Sequence, residues 1–217
     1  MIKKNFKKKD KLKVLAFGDI HSDSCHAEKL AVRAEKEKVD LVVISGDLTF
    51  AERSTDGIIG PFAKRNLKVL MIPGNHESNA TTDFLESLYD NSRNIHGKYH
   101  LHYHVAFMGA GGANIGVHAL NDKEFDRLLS DTHKRLNNSP YKGSFTKKVL
   151  VTHMHPSASK SERISGFLGS KAILKAITNF SPEVALFSHI HEAAGIEEII
   201  GNTRAINVGK KGVIFEI

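Results

Sequence analysis

Five times in this 217-residue chain a short apolar run stops at a small residue or a Pro-Gly turn, and aspartate, asparagine or histidine follows at once. Residues 14–17 lead into Gly18-Asp19-Ile20-His21, and 41–44 into Ser45-Gly46-Asp47. Residues 67–72 lead into Pro73-Gly74-Asn75-His76-Glu77, 148–152 into His153-Met154-His155, and 184–187 into Ser188-His189-Ile190-His191. Apolar runs bounded by turn formers read as buried strands. If the five strands are parallel neighbours in one sheet, all five polar groups collect at its carboxyl edge, where open α/β sheets place ligand sites.

Between these strands the spacing predicts helices over 26–38, 82–89, 122–136 and 171–178. Phe125, Leu128, Leu129 and Leu136 share one side of the third and belong to a core. Pro61 marks a short helix start within 60–66. Residues 94–109 alternate polar and apolar, which predicts paired strands, with His100, His102 and His104 on a polar face. A glycine loop follows at 109–112. Three last apolar runs (195–200, 203–208 and 213–217) predict an antiparallel meander, with Gly201-Asn202 as one tight turn. This order is an α/β chain with mixed sheets. No repeat, low-complexity tract or linker divides it, so residues 13–217 read as one domain.

Such a length buries roughly 70–75% of the unfolded surface and needs no covalent staple. The single cysteine, Cys25, excludes an intrachain disulfide framework and a multi-cysteine metal site. No apolar run approaches the ~18 residues of a membrane-spanning helix, and no apolar stretch follows the N-terminal lysines as in a secretory signal. A soluble, cytoplasmic protein is the expectation. Of the net charge of +7, residues 1–13 supply +6, from seven lysines and one aspartate. The high pI therefore belongs to a basic arm over residues 1–12. That arm is either a solvated terminus or a tether giving weak nucleic-acid contact. With Phe6 as the single aromatic among these lysines there is no stacking pattern, which favours the solvated terminus.

Carboxylate, imidazole and amide donors suit hard or borderline divalent cations such as Mn, Fe, Zn, Co or Ni. The i, i+2 spacing of Asp19 and His21, and of His189 and His191, turns both side chains of a pair to one side of an extended segment. Glycine beside Asp19, Asp47 and Asn75 permits close backbone approach and positive φ.

In order and position these groups resemble the motifs of the calcineurin-like metallophosphoesterases: GDxH, GD, GNH with a following acid, a histidine after a strand, and HxH. The resemblance spans about residues 12–217. It implies an α/β fold of two mixed β-sheets packed as a sandwich with helices on the outer faces. It also implies two divalent metal ions, one held by Asp19, His21, Asp47 and His191. Asp47 would bridge to the second, held also by Asn75, His153 and His189. His76 would face a small phosphorylated substrate as general acid while hydroxide held between the metals attacks phosphorus. The implied activity is hydrolysis of a phosphomonoester or phosphodiester. A nuclease and a non-catalytic scaffold of the same fold are the alternatives.

Two departures matter. Ser188 stands where the family usually has glycine, and Phe50-Ala51-Glu52 stands where its phosphoprotein phosphatases carry Asp-Arg-Gly. The second argues against a phosphoprotein phosphatase and leaves open what orients His76. Arg53 reads as a surface arginine. His155 is either a pocket residue or a turn residue, and Asp23 and His26 are candidate substrate contacts, as are Asn114 and His118. Phe167 and Leu168, near two glycines, read as a flap or a dimer surface.

Overall fold

The computed structural model describes residues 11–217, so most of the basic arm lies outside the described residues. Leu12, assigned to that arm, is buried in the core, and its backbone exchanges hydrogen bonds of 2.8 and 3.0 Å with Ile217. The folded chain therefore already includes the end of the segment read as an arm.

Two sheets form. In the first, β1 (Lys13–Phe17), β2 (Leu41–Ser45), β3 (Val69–Ile72) and β4 (Ser92–Asn94) run parallel. In the second, β6 (Val105–Ala110), β7 (Lys147–Thr152), β8 (Val184–Phe187) and β10 (Thr203–Asn207) run parallel, with β5 (Tyr99–His102) and β9 (Glu197–Ile200) antiparallel at the two edges. The last strand, β11 (Val213–Glu216), leaves its predecessors and pairs antiparallel with β1. The predicted three-stranded meander is thus corrected. Only β9 and β10 form a hairpin, across Gly201-Asn202, while 209–212 carries the chain to the other sheet.

Alternation within each central strand explains the layers. Val14 and Ala16 of β1 face Phe107, Val149, Val151 and Leu186 of the other sheet, making the inner core. Leu15 and Phe17 point the opposite way, toward Ala27, Leu30 and Ala31 of α1 (Ser24–Lys36), Phe62 of α2 (Gly60–Ala63) and Leu85 of α3 (Asn79–Leu88). On the far side, Met108, Leu150 and Phe187 pack with Phe125, Leu129 and Leu136 of α4 (Asp122–Asn137) and with Ile173 and Ile177 of α6 (Lys171–Phe180). Strands covered on both faces read as continuous apolar runs, as these do. The result is the α/β sandwich with outer helices that the motifs implied.

Side-chain caps set the helix starts. Asp23 accepts from His26 N–H at α1, and Asn121 with Glu124 forms a capping box at α4. Ser159 caps α5 (Lys160–Ser165), a short helix absent from the sequence reading, whose only signal is Ser159-x-x-Glu162. Tyr103 and His104 form the turn between β5 and β6, and His102 is buried, so the histidine run is not one solvent face. No helix among the described residues is long and apolar enough to cross a membrane.

Candidate metal centre

The five motif groups do meet, but not on one sheet. β1, β2 and β3 deliver theirs from the first sheet, and β7 and β8 from the second. The Ser45 carbonyl at the end of β2 accepts from His153 Nδ1 at 2.8 Å and from the Ser188 hydroxyl at 2.9 Å, both across the sandwich. His189 N–H donates to Asp19 Oδ1 at 3.2 Å. The carboxyl edges of both sheets therefore open on one site.

The backbone there is coiled rather than extended. Asp19, His21, Asp47 and His189 all have φ between +51° and +68°. Side chains two apart converge because the chain turns left-handed, not because an extended segment alternates. Non-glycine residues in this region are sparse and carry a cost of roughly 1–3 kcal/mol each, which tends to persist where function requires it.

Three overlapping groups result: Asp19, His21 and His191; His21, Asp47 and His76; Asp47, His153 and His189. In each, one donor atom per residue lies within 4.8 Å of the others. His21 Nε2 lies 3.4 Å from His191 Nε2 and 3.7 Å from Asp47 Oδ2. Asp47 Oδ1 lies 3.4 Å from His153 Nε2, and Asn75 Oδ1 lies 3.0 Å from that same nitrogen. All seven residues assigned as ligands thus converge, with Asp47 at the centre.

The second layer fixes them. A carbonyl can only accept, so the Ser45 bond keeps a proton on His153 Nδ1 and leaves Nε2 facing the cluster, able to hold a cation once its own proton is lost. The Ser188 oxygen, 3.1 Å from the same Nδ1, supports that tautomer. Asp47 Oδ1 accepts from Asn75 N–H at 2.9 Å and His76 N–H at 3.1 Å. Glu77 is the residue whose role the sequence reading missed. Its buried carboxylate accepts from Gly74, Leu48 and Thr49 N–H and ties the second and third motifs together. The acid directly after Asn75-His76 was its only signal.

Electrostatics follow from burial and crowding. Burial pushes the Asp19 carboxyl up, and burial followed by the His153 charge drives His189 down to about 3. Burial also opposes charge on His153, yet the Asp47 and Asp19 carboxylates outweigh it and push the imidazole up to about 9. Burial, then the Asp47 charge, raises Glu77 to about 7.

These residues fit a bound divalent cation on two structural grounds. Asp19 Oδ2, which faces His191 Nε2 at 3.9 Å, is buried with no hydrogen-bond partner among the described residues, and such an orphan requires an explanation such as an ion. The donor set is carboxylate, imidazole and amide oxygen, with no thiolate.

His76 sits at the rim, its Nε2 3.9 Å from Asp47 Oδ2. Phe50 itself answers what orients it: the two rings stack at 5.1 Å and 26°. The Arg53 guanidinium lies 5.5 Å above the Phe50 ring. Glu52 N–H donates to the His76 carbonyl and holds its backbone. The remaining candidates have hydrogen-bond or ion-pair partners of their own. Asp23 caps α1 and pairs with Lys210 Nζ at 2.8 Å, and His26 Nε2 donates to the Lys210 carbonyl at 2.9 Å. His155 is buried and donates to the Phe167 carbonyl at 3.0 Å, anchoring the loop that carries the exposed Phe167 and Leu168. Asn114 donates to the Leu168 carbonyl at 3.2 Å, and His118 Nε2 lies 3.7 Å from Glu52.

Two cavities flank the cluster. One, of about 260 Å³, is lined by Glu52, Asn75, His76 and His118. The other, of about 540 Å³, lies between Asp19, His21 and His191 on one side and Lys210 and Lys211 on the other. The two lysines were not singled out in the sequence; their signal is a charged pair between two glycines.

Comparison with known proteins agrees with this geometry. The sequence matches the calcineurin-like phosphoesterase family over residues 12–193. No curated protein matches it. Among solved structures, the protein TT1561 of Thermus thermophilus superposes with a TM-score of 0.72 at 16% identity, over 94% of this chain and 98% of that one. An archaeal phosphodiesterase superposes at 0.54 with 14% identity, over 95% and 99% of the two chains. A dimetal phosphatase from Danio rerio superposes at 0.59 with 10% identity, over 91% and 87%. These likenesses concern the fold, whereas the family match rests on the sequence itself. With its motif residues gathered around Asp47, the chain belongs to the calcineurin-like phosphoesterase family.

Proposed function

We propose that the protein hydrolyses a phosphomonoester or phosphodiester using two divalent cations. The observation that carries this reading is the convergence of seven strand-end residues from two sheets around one buried carboxylate, Asp47. Asp19, His21, Asp47 and His191 would hold one cation, and Asp47, Asn75, His153 and His189 the other. When bound, the pair supplies Lewis acidity that acidifies water and offsets charge on the phosphoryl group.

The chain's own residues do the rest. Asp47 Oδ1, by accepting from two successive N–H groups, fixes both Asn75 and His76. His76 Nε2 faces the cluster from its rim and delivers a proton to the leaving oxygen, a role worth typically ~10²–10⁴ in rate. Phe50 limits the swing of that imidazole by stacking on it. Phe50 and Ala51, in place of an acid and a phosphate-binding arginine, favour small phosphoesters over phosphoproteins.

The test is turnover of p-nitrophenyl phosphate and bis-p-nitrophenyl phosphate, with single-stranded DNA alongside, by protein loaded with Mn²⁺, Zn²⁺, Co²⁺ or Fe²⁺. Hydrolysis that EDTA stops and added cation restores supports the reading. Fully loaded protein that leaves every ester intact overturns it and favours the scaffold.

A further inference from the structure

The larger of the two cavities reaches from the cation cluster to a basic loop that the proposed reaction does not use. Gly209, Lys210, Lys211 and Gly212 join β10 to β11. This loop is fastened rather than free. The Gly209 carbonyl accepts from Gly18 N–H at 3.1 Å, which ties it to the turn carrying Asp19. His26 donates to the Lys210 carbonyl, and Arg33 donates to the Lys211 and Gly212 carbonyls at 2.9 and 3.1 Å. The Lys210 ammonium is held by Asp23. Among the described residues no carboxylate pairs with Lys211, which is exposed at the cavity mouth. Lys210, Lys211 and Arg33 against Asp23 leave two surplus positive charges on a fixed scaffold.

We infer that this loop is an anion subsite, selecting small phosphoesters that carry a second phosphate beyond the scissile one. The inference rests on the proposed phosphoesterase reading. A phosphoryl group at the Asp19, His21 and His191 cluster leaves the rest of its molecule to fill a 540 Å³ cavity whose far wall is Lys210 and Lys211. Volumes of this order suit small molecules. A second phosphate there meets Lys211 directly and competes with Asp23 for Lys210. The loop backbone that carries both lysines is already fastened, so binding has only the Lys211 side chain left to order, which favours charge-assisted hydrogen bonds.

The experiment compares adenosine 3′,5′-bisphosphate with adenosine 5′-monophosphate. Binding is read by calorimetry on Mn²⁺-loaded His76→Ala protein, and initial rates are read on the wild type. The bisphosphate is expected to bind about tenfold tighter or more, the scale of one charge-assisted contact. Adding Lys211→Ala should bring the two ligands to within about twofold, whereas Lys211→Arg should keep the preference. Lys211 is the residue of choice because Lys210→Ala also breaks the Asp23 pair. Equal affinities in the parent, or a preference that Lys211→Ala leaves unmoved, overturns the subsite. Tight, lysine-dependent bisphosphate binding with no hydrolysis of either compound, nor of p-nitrophenyl phosphate and its bis-ester, overturns the phosphoesterase reading and keeps the subsite. Hydrolysis of both without preference does the reverse.

Discussion

Gly74 offers a sharp physical test of how the centre is built. A Cβ at this position would lie 1.9 Å from Asp47 Oδ1 and 2.3 Å from the Asp47 backbone nitrogen. Because real Cβ atoms essentially never come within 3.0 Å of another heavy atom, Gly74→Ala must push that carboxylate oxygen by at least 1.1 Å. A shift of that size ends its bonds to Asn75 and His76 N–H, now 2.9 and 3.1 Å. Bonds to a charged acceptor are worth about 1.5–3 kcal/mol each, so a loss of about 3–6 kcal/mol is expected for the two. Gly74 has no positive φ, so the cost is contact alone. Gly143→Ala is the control. Gly143 has φ +90° and nothing within 4 Å, so its cost is backbone strain alone, about 1 kcal/mol. Urea unfolding of EDTA-treated protein reads both losses, and dialysis against Mn²⁺ reads cation retention. Gly74→Ala within about 0.5 kcal/mol of wild type, with full retention, would refute the argument that this glycine makes room for Asp47.

His76→Ala is expected to keep cation binding and stability while slowing turnover about 10²–10⁴-fold in steady-state kinetics. An unchanged rate removes His76 from the proton-transfer role. Ser188→Gly loses a buried hydroxyl bonded to the Ser45 carbonyl, and a stability loss of about 1 kcal/mol with cation binding retained is expected from denaturant melts. Cation affinity is expected to depend on pH through His153. That imidazole is charged below about 9 in the cation-free chain, and a cation must displace its proton. Apparent affinity should therefore fall by about tenfold per unit as pH drops below that value. Calorimetry in buffers of differing ionisation enthalpy checks this by counting the released proton, and no release contradicts the assignment.

Much of the site was legible in the sequence because it depends on residues adjacent to strand ends. Each of Asp19, Asp47, Asn75, His153 and His189 lies within three residues of the end of an apolar run, and tertiary structure only had to bring the ends together. What periodicity could not reveal is which strands share a sheet. The departure of β11 to pair with β1 is decided by packing of Phe215 and Ile217 in the inner core, a contact between opposite ends of the chain. The local geometry at Asp19 and His21 was likewise misread as extended. Histidine and aspartate tolerate positive φ better than most side chains, so nothing in the letters distinguishes the two conformations. Glu77 and Ser188 act on the clustered residues through backbone and tautomer. Asp23 and His26, singled out by proximity to the first motif, form a helix cap and hold the 209–212 loop. Phe50, read as the loss of an orienting acid, instead orients His76 by stacking.

The most direct measurement of the central claim is anomalous diffraction from crystals grown with Mn²⁺. Two peaks on either side of the Asp47 carboxylate are predicted, one within reach of Asp19, His21 and His191 and the other within reach of Asn75, His153 and His189. A map without a peak at Asp47, or with manganese only at surface carboxylates elsewhere, would contradict the claim.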